Sequence, residues 1–445
     1  MLVQPDIVPQ AINCGERLAA TSPLKILMLA PGMSVHTQRI ISMLLEDGHS
    51  VTLVSHHDPL PGRVARYEFI RFPAIRGIHR IKYTWVASIE RWIRIAQMRM
   101  IWRRTRPDLV NVQGVDGRAD YCASAGLHPL VLTCWGTDIN GFFGSKKDEP
   151  GYQNGLAGYQ NGLAGLMSAK SGRPAATSQL IQKHKKRIAR ALAAADCITV
   201  DSAEVLSRCE ALAGRELPVR FFYFGVDFNT FRPGYVQEAA ALRRDLGIPA
   251  TARIIMSARL VQPLNGHDHL LRAFAVLTRD TKLPASTLVF KRYLCCEEEV
   301  ARIETLAKEL GVSSSVYWLE EVPHDHIPIH YAMADIIVNY PEQDAFPVTF
   351  FEAAACKRPV ISSDLPAYEG VFGDSFIMVP PRDVTALCQA LRVCLTEDER
   401  QTRERVENAY AIAGEVGDQR RSIKVLNEVL EAATARRRSI GRHLS

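Results

Sequence analysis

Short apolar runs alternate with segments of helical period along almost the whole chain. Lys25 to Ala30, Ser50 to Ser55, Asp108 to Gln113, Pro129 to Cys134 and Cys197 to Asp201 are near-continuous apolar stretches. Runs of this kind, without strict alternation, predict strands buried on both faces of a parallel sheet. Thr37 to Asp47 has a helical period and is closed by Gly48. The rhythm then restarts after a break near Gly225 to Gly234. Strands are predicted at Arg253 to Ala258, Ser286 to Phe290, Ser315 to Leu319, Asp335 to Tyr340 and Pro359 to Ser363. Helices are predicted at His269 to Leu277 and Glu298 to Leu310. Two such series predict two doubly wound α/β domains. Ligands of these sheets bind beyond the carboxyl ends of the strands, so two facing domains would share one central cleft.

One segment carries candidate chemistry within the second series. Asp344-Ala-Phe-Pro-Val-Thr-Phe-Phe-Glu352 sets two carboxylates around an apolar run that reads as a turn entering a helix. Pro347 suits the first helical position, where a missing N–H costs nothing. The N–H groups of Val348, Thr349 and Phe350 would then point outward at a helix N-terminus, which favours an anion. Taken alone, the segment reads more readily as an acidic residue before a helix and another on its surface.

Composition narrows the classes. A chain of 445 residues, 47% hydrophobic and 23% charged, has room for two or three globular domains. Its net charge of +6 is spread along the chain. That argues against nucleic acid as a partner and suits an acidic small substrate or an anionic membrane surface. The ten cysteines include no C-x-x-C pair and read as reduced, buried thiols, with no metal site among them. No leader pattern opens the chain and no apolar run reaches the length of a membrane span, so a cytoplasmic location is expected. A perfect tandem repeat, Gly151-Tyr-Gln-Asn-Gly-Leu-Ala followed by the same seven residues from Gly158, predicts a surface loop that could lie over the cleft.

With these residues in view, the chain resembles the retaining glycosyltransferases of family 4, which have the GT-B fold. The resemblance runs from about Lys25 to Val425, with its motifs in order. These are Lys25-Ile-Leu-Met-Leu-Ala-Pro-Gly32, Leu45-Glu-Asp-Gly-His-Ser-Val51, Arg106-Pro-Asp-Leu-Val110, Cys134-Trp-Gly-Thr-Asp138 and Phe224-Gly-Val-Asp-Phe-Asn-Thr-Phe-Arg-Pro233. Ala258-Arg-Leu-Val261, Tyr331-Ala-Met-Ala-Asp335 and the acidic segment complete the set. The resemblance implies transfer of a sugar, with retention, from a UDP- or GDP-sugar to a lipid-linked or saccharide acceptor in surface polysaccharide or glycolipid synthesis. No metal and no cofactor are implied. It further implies an acceptor-side Rossmann-like domain over 23–225, a nucleotide-sugar domain over 226–417, and a segment 418–445 whose helix crosses back to the first domain. That segment ends in a basic tail, Arg436-Arg437-Arg438.

The implied catalytic group is Arg259 on the diphosphate, Glu352 on the ribose and Asp344 on the donor sugar. Gly32, Asn265, Lys291, Arg292, Phe346, Val348 and Thr349 complete the implied donor site. His36, just ahead of the first helix, and Asp138, in a loop after a strand, are acceptor-side candidates, with capping an equal alternative. Asp227 reads as a turn stabiliser. The chain departs from the family where Asp344 replaces a common Glu, Pro347 a common Gly and Asn265 the expected Lys. Losing that lysine would weaken stabilisation of the leaving diphosphate unless another cation replaces it, and Lys291 or Arg292 is positioned in sequence to do so. A catalytically silent homologue that binds sugar nucleotide or a partner transferase, or a sugar-nucleotide epimerase, are the alternatives.

The stretch from Arg76 to Arg106 is both basic and apolar. Trp85, Ile89, Trp92, Ile93, Ala96 and Met100 share one helical face; it suits either a helix lying on anionic lipid or a core helix, and is expected to pack on the first sheet, with the arginines available for contact with the inner face of a membrane.

Overall fold

The computed structural model describes residues 22–59, 66–72, 84–140, 174–292 and 295–443. The tandem repeat at 151–164, Cys14, Tyr293 and residues 73–83 of the basic segment lie outside them. The chain forms two compact units. One comprises the described residues as far as Tyr223 together with those from Ser422 onward, and the other runs from Phe224 to Arg421.

In the first unit seven strands form one parallel sheet in the order β3-β2-β1-β4-β5-β6-β7. They are β1 (Lys25–Leu29), β2 (Ser50–Ser55), β3 (Glu68–Arg71), β4 (Leu109–Gln113), β5 (Leu130–Thr133), β6 (Cys197–Val200) and β7 (Val219–Phe221). In the second unit six parallel strands run β10-β9-β8-β11-β12-β13. These are β8 (Arg253–Leu260), β9 (Ser286–Lys291), β10 (Val316–Leu319), β11 (Ile336–Asn339), β12 (Val360–Ser363) and β13 (Ile377–Val379). In each sheet the strand order reverses once, between β1 and β4 in the first and between β8 and β11 in the second. A reversal opens a crevice at the carboxyl ends of the two central strands.

The central strands are apolar because both of their faces are covered. Leu27, Leu29, Val110, Val112, Leu130 and Leu132 share one core with Ile188, Leu192, Val205 and Cys209 of the flanking helices. Ile255, Leu288, Phe290, Val338 and Ile361 do the same in the second unit against Leu271, Phe274, Ile303 and Leu391. Helix α1 spans Val35–Glu46, two residues earlier than its periodicity predicts. Ser34 closes a turn on Pro31 and its carbonyl already accepts the Gln38 N–H, so the helix begins there.

Helix α2 (Thr84–Thr105) overturns one expectation. It packs on the sheet through Ile95, Met98 and Ile101, while Ile89, Trp92, Ile93 and Met100 face outward. The buried face also holds Arg94, whose guanidinium carbon lies 4.4 Å from the centroid of Phe72. A cation stacked on an aromatic ring can occupy a buried position that hydropathy alone assigns elsewhere. The Trp85 side chain lies outside the described residues.

The last helix (Gln419–His443) buries Leu426, Val429, Leu430 and Ala433, and Asn427 Nδ2 donates to Asp47 Oδ2 at the end of α1. The side chains of Arg436, Arg437 and Arg438 lie outside the described residues. Asp227 accepts from the Asn229 N–H and the Thr230 hydroxyl, which fixes the turn that opens the second unit. Among the described residues the cysteines are free thiols, although Cys197, Cys295, Cys296 and Cys394 are only partly buried. No helix among the described residues is long and apolar enough to cross a membrane.

Candidate active site

The site residues of the second unit assemble at the carboxyl ends of β8, β9 and β11, at the strand-order reversal. The pairing of β8 with β9 is irregular there. Met256 sits opposite Val289, but the next matched pair is Leu260 and Lys291, so three residues of β8 face one of β9. A bulge of this kind bends the strand and redirects its side chains. Arg259 lies inside it, and the Ala258 carbonyl accepts from Lys291 Nζ at 3.0 Å.

Arg259 meets Asp344 through two nitrogens, Nη1 to Oδ2 at 2.9 Å and Nη2 to Oδ1 at 3.2 Å. The planar guanidinium matches a carboxylate in this two-point geometry, which fixes orientation as well as charge. Asp344 also accepts from the Tyr368 hydroxyl at 2.8 Å. Burial, and next the Asp344 charge, hold the Tyr368 phenol well above its ordinary range, so it remains a donor. Glu352 is arranged in parallel, accepting from the hydroxyl of the fully buried Tyr331 at 2.7 Å. Each of the paired carboxylates is therefore held by one buried tyrosine.

Lys291 is 3% exposed, with Nζ 5.5 Å from the centroid of Tyr331. Burial lowers its pKa most, with Arg259 lowering it further and the Glu352 charge opposing both. Arg292 points elsewhere. It pairs with Glu304 at 3.0 Å, on the helix Glu297–Glu309, and lies 5.7 Å from the Trp318 centroid. Of the two candidate cations, the structure brings Lys291 to the site and leaves Arg292 outside it.

Other expected contacts are placed differently. Pro347 is the residue before the helix Val348–Ala355, not its first residue, and has extended backbone angles. Its carbonyl accepts the Phe350 N–H, so that group is not directed outward as expected. No acceptor among the described residues meets the N–H groups of Val348 and Thr349. The Thr349 hydroxyl lies 3.4 Å from Asn339 Oδ1. Phe346 turns its ring into an aromatic cluster with Phe350, Phe351, Tyr368 and Phe372, where it packs the core. Asn265 donates its amide to the Leu260 carbonyl at 2.9 Å and so braces its own loop. The next residue, Gly266, lies so close to Tyr340 that a Cβ would stand 2.0 Å from the Tyr340 oxygen, and only glycine fits.

Sequence reasoning named Arg259, Asp344, Glu352 and Lys291, which the fold brings together, and gave no role to the two tyrosines that hold the carboxylates. Tyr331 stood inside a recognised motif without a role. Tyr368 carries no local signal, since its relation to Asp344 arises only through folding.

The first unit carries its candidates at its own reversal. Gly32 follows β1, donates its N–H to Ser55 Oγ at 2.9 Å and accepts from Gln38 Nε2 at 2.8 Å. A Cβ on Gly32 would stand 2.6 Å from the His57 carbonyl oxygen. His36 is the second residue of α1, inside the helix and not ahead of it, with its ring edge-on to Trp135 at 6.1 Å. Asp138 belongs to a short helix, Thr137–Asn140, and accepts from the backbone N–H groups of Val115 and Trp135. Burial pushes its pKa up to about 6 against the pull of those bonds. This carboxylate ties the loop after β4 to the loop after β5, which is the capping or turn role weighed from the sequence.

Known proteins decide what such a pair of units is. A model described as glycosyl transferases group 1 matches residues 238–411, and one described as glycosyl transferase 4-like matches residues 25–161. The chain belongs to the group 1 glycosyltransferases. Among curated proteins it is 28% identical over 219 residues to a D-inositol 3-phosphate glycosyltransferase of Corynebacterium urealyticum, covering 46% of this chain and 50% of that protein. A protein of the same description from Saccharomonospora viridis is 31% identical over 194 residues, covering 42% and 44%. The matches thus span about half the length of these relatives. Among solved structures, Anabaena HepE in complex with UDP-glucose superposes with a TM-score of 0.68 at 16% identity, covering 92% of this chain and all of that one. The lipopolysaccharide glycosyltransferase WaaG gives 0.62 at 15% identity, covering 91% and 99%. These likenesses establish the GT-B fold for this group 1 chain.

Proposed function

We propose that this protein transfers a sugar, with retention, from a nucleoside diphosphate sugar to a lipid-linked or saccharide acceptor. The observation that carries the reading is the joining of Arg259, Asp344, Lys291, Tyr331 and Glu352 at the reversal of the second sheet. The domain over 226–417 takes the donor and the domain over 23–225 takes the acceptor, with 418–445 returning to the latter. Arg259 and Lys291 offset the charge that develops on the leaving diphosphate, aided by the N–H groups of Val348 and Thr349. Glu352 accepts from ribose hydroxyls and Asp344 from hydroxyls of the sugar. Gly32 admits a phosphate close to the backbone, and His36 lies on the acceptor side. The acceptor hydroxyl attacks from the face that the diphosphate leaves, and a donor phosphate oxygen takes its proton, so no side-chain base is needed.

UDP is the favoured nucleotide, because the similar Anabaena protein is seen with UDP-glucose. The setting is surface polysaccharide or glycolipid synthesis at the cytoplasmic face of a membrane. One observation favours a second reading, binding without turnover: Asn265 braces its loop and brings no charge where the family has lysine.

The test is release of nucleoside diphosphate from a panel of UDP- and GDP-sugars. Acceptors would include inositol 3-phosphate, free saccharides and lipid-linked sugars. Turnover with one donor, and a product of retained anomeric configuration, supports the transferase. A donor that raises Tm but is never consumed across the panel supports the silent binder.

A further inference from the structure

The outward face of α2 is unlike the rest of the protein surface. Trp92 is 65% exposed and Met100 64%, with Ile89 and Ile93 beside them. Half of the exposed large apolar side chains among the described residues lie on this one helix, so the exposure is concentrated rather than scattered. Their spacing puts them on one stripe together with Ala96. The stripe runs into exposed Arg103 and Arg104 in the last turn, with exposed Arg106 just beyond. Arg99 is partly engaged, donating to the Ala125 carbonyl at 3.2 Å. Among the described residues no carboxylate lies within the apolar stripe itself: Glu90 sits 3.7 Å from the buried Arg94, and Glu68 meets Arg104 at the stripe's end, at 3.6 Å.

From this combination we infer that the outward face of α2 is a docking surface for an anionic lipid bilayer. Tryptophan, isoleucine and methionine enter the boundary between headgroups and acyl chains, and arginines at the end of the stripe meet lipid phosphates. A second copy of this chain fits less well, because it would bring the same arginines and no acids to meet them. The inference gives the membrane contact of the proposed function a specific surface, and its test is independent of turnover.

The full chain is sedimented with vesicles of phosphatidylcholine containing one third phosphatidylglycerol, and with vesicles of phosphatidylcholine alone. Binding is expected to the first and not the second, and to weaken as salt is raised. Trp92→Asp, and separately Arg103→Glu with Arg104→Glu, are each expected to lower the bound fraction about tenfold at limiting lipid. These side chains are exposed, so an unchanged Tm checks that the variants fold. The inference is overturned if wild type ignores anionic vesicles, or if both variants bind like wild type. It is also overturned if wild type is a dimer by sedimentation velocity, Trp92→Asp makes it a monomer, and vesicle binding stays the same.

Discussion

Lys291 Nζ donates to the Ala258 carbonyl, across the same irregular strand pair that aims Arg259 at Asp344. A buried ammonium and a forked guanidinium thus approach one crevice from neighbouring strands. The proposed donor site would thus present two cations although Asn265 stands where the family has lysine.

Lys291→Met is expected to weaken UDP binding by about tenfold or more, roughly 1.4 kcal/mol. Arg292→Met should leave it unchanged, since that side chain is paired with Glu304. Isothermal titration of both variants, with Tm as a folding control, checks the contrast. Equal losses would remove Lys291 from its proposed role.

Arg259→Lys keeps the charge and loses the fork. A cost of about 2–4 kcal/mol in transition-state stabilisation is expected, seen as a fall in kcat larger than any rise in KM. Steady-state kinetics of nucleotide release separate the two parameters.

Glu352→Gln should erase any preference for UDP over 2′-deoxy-UDP, because the ribose hydroxyls lose a charged acceptor. Tyr331→Phe leaves the carboxylate buried with one partner fewer, and a loss of about 1.5–3 kcal/mol in stability is expected. Competition binding checks the first and chemical denaturation the second. An intact preference in Glu352→Gln would move the ribose elsewhere.

His267 is buried beside Ser257, with Nε2 3.2 Å from Oγ, and burial lowers its pKa to about 4. The unfolded chain binds the proton more readily, so stability present above pH 6.5 is lost as pH falls toward 4. The loss amounts to about 3 kcal/mol over that window. Denaturation of His267→Asn against wild type should show the gap closing with acid. Parallel curves would refute the assignment.

Asp138 has the opposite sign. Its pKa is raised to about 6, so the folded state holds the proton more tightly. Wild type should lose about 2 kcal/mol relative to Asp138→Asn as pH rises from 4 to 7. The same denaturation series measures it.

The interior of both sheets was readable from sequence, and of the four edge strands only β10 was. β3, β7 and β13 escaped the pattern, and all three are edge strands of three or four residues with only partial burial. A strand covered on both faces must be apolar throughout, whereas an edge carries no such demand. Arg259, Asp344 and Glu352 were singled out because motifs in the family's order carry them, and the fold brings Arg259 and Asp344 together. Tyr368 was not, since it reaches Asp344 across 24 residues of chain. The face of α2 was misassigned because apolar residues line two of its sides, and only packing, with Arg94 over Phe72, chooses between them.

Gly266 lies against the Tyr340 carbonyl, and Gly32 against that of His57, each too close for any added side chain. In a saturation library these two codons would tolerate no replacement, one in each unit. A selection for activity would therefore mark both crevices as silent gaps in the map before any ligand had been identified.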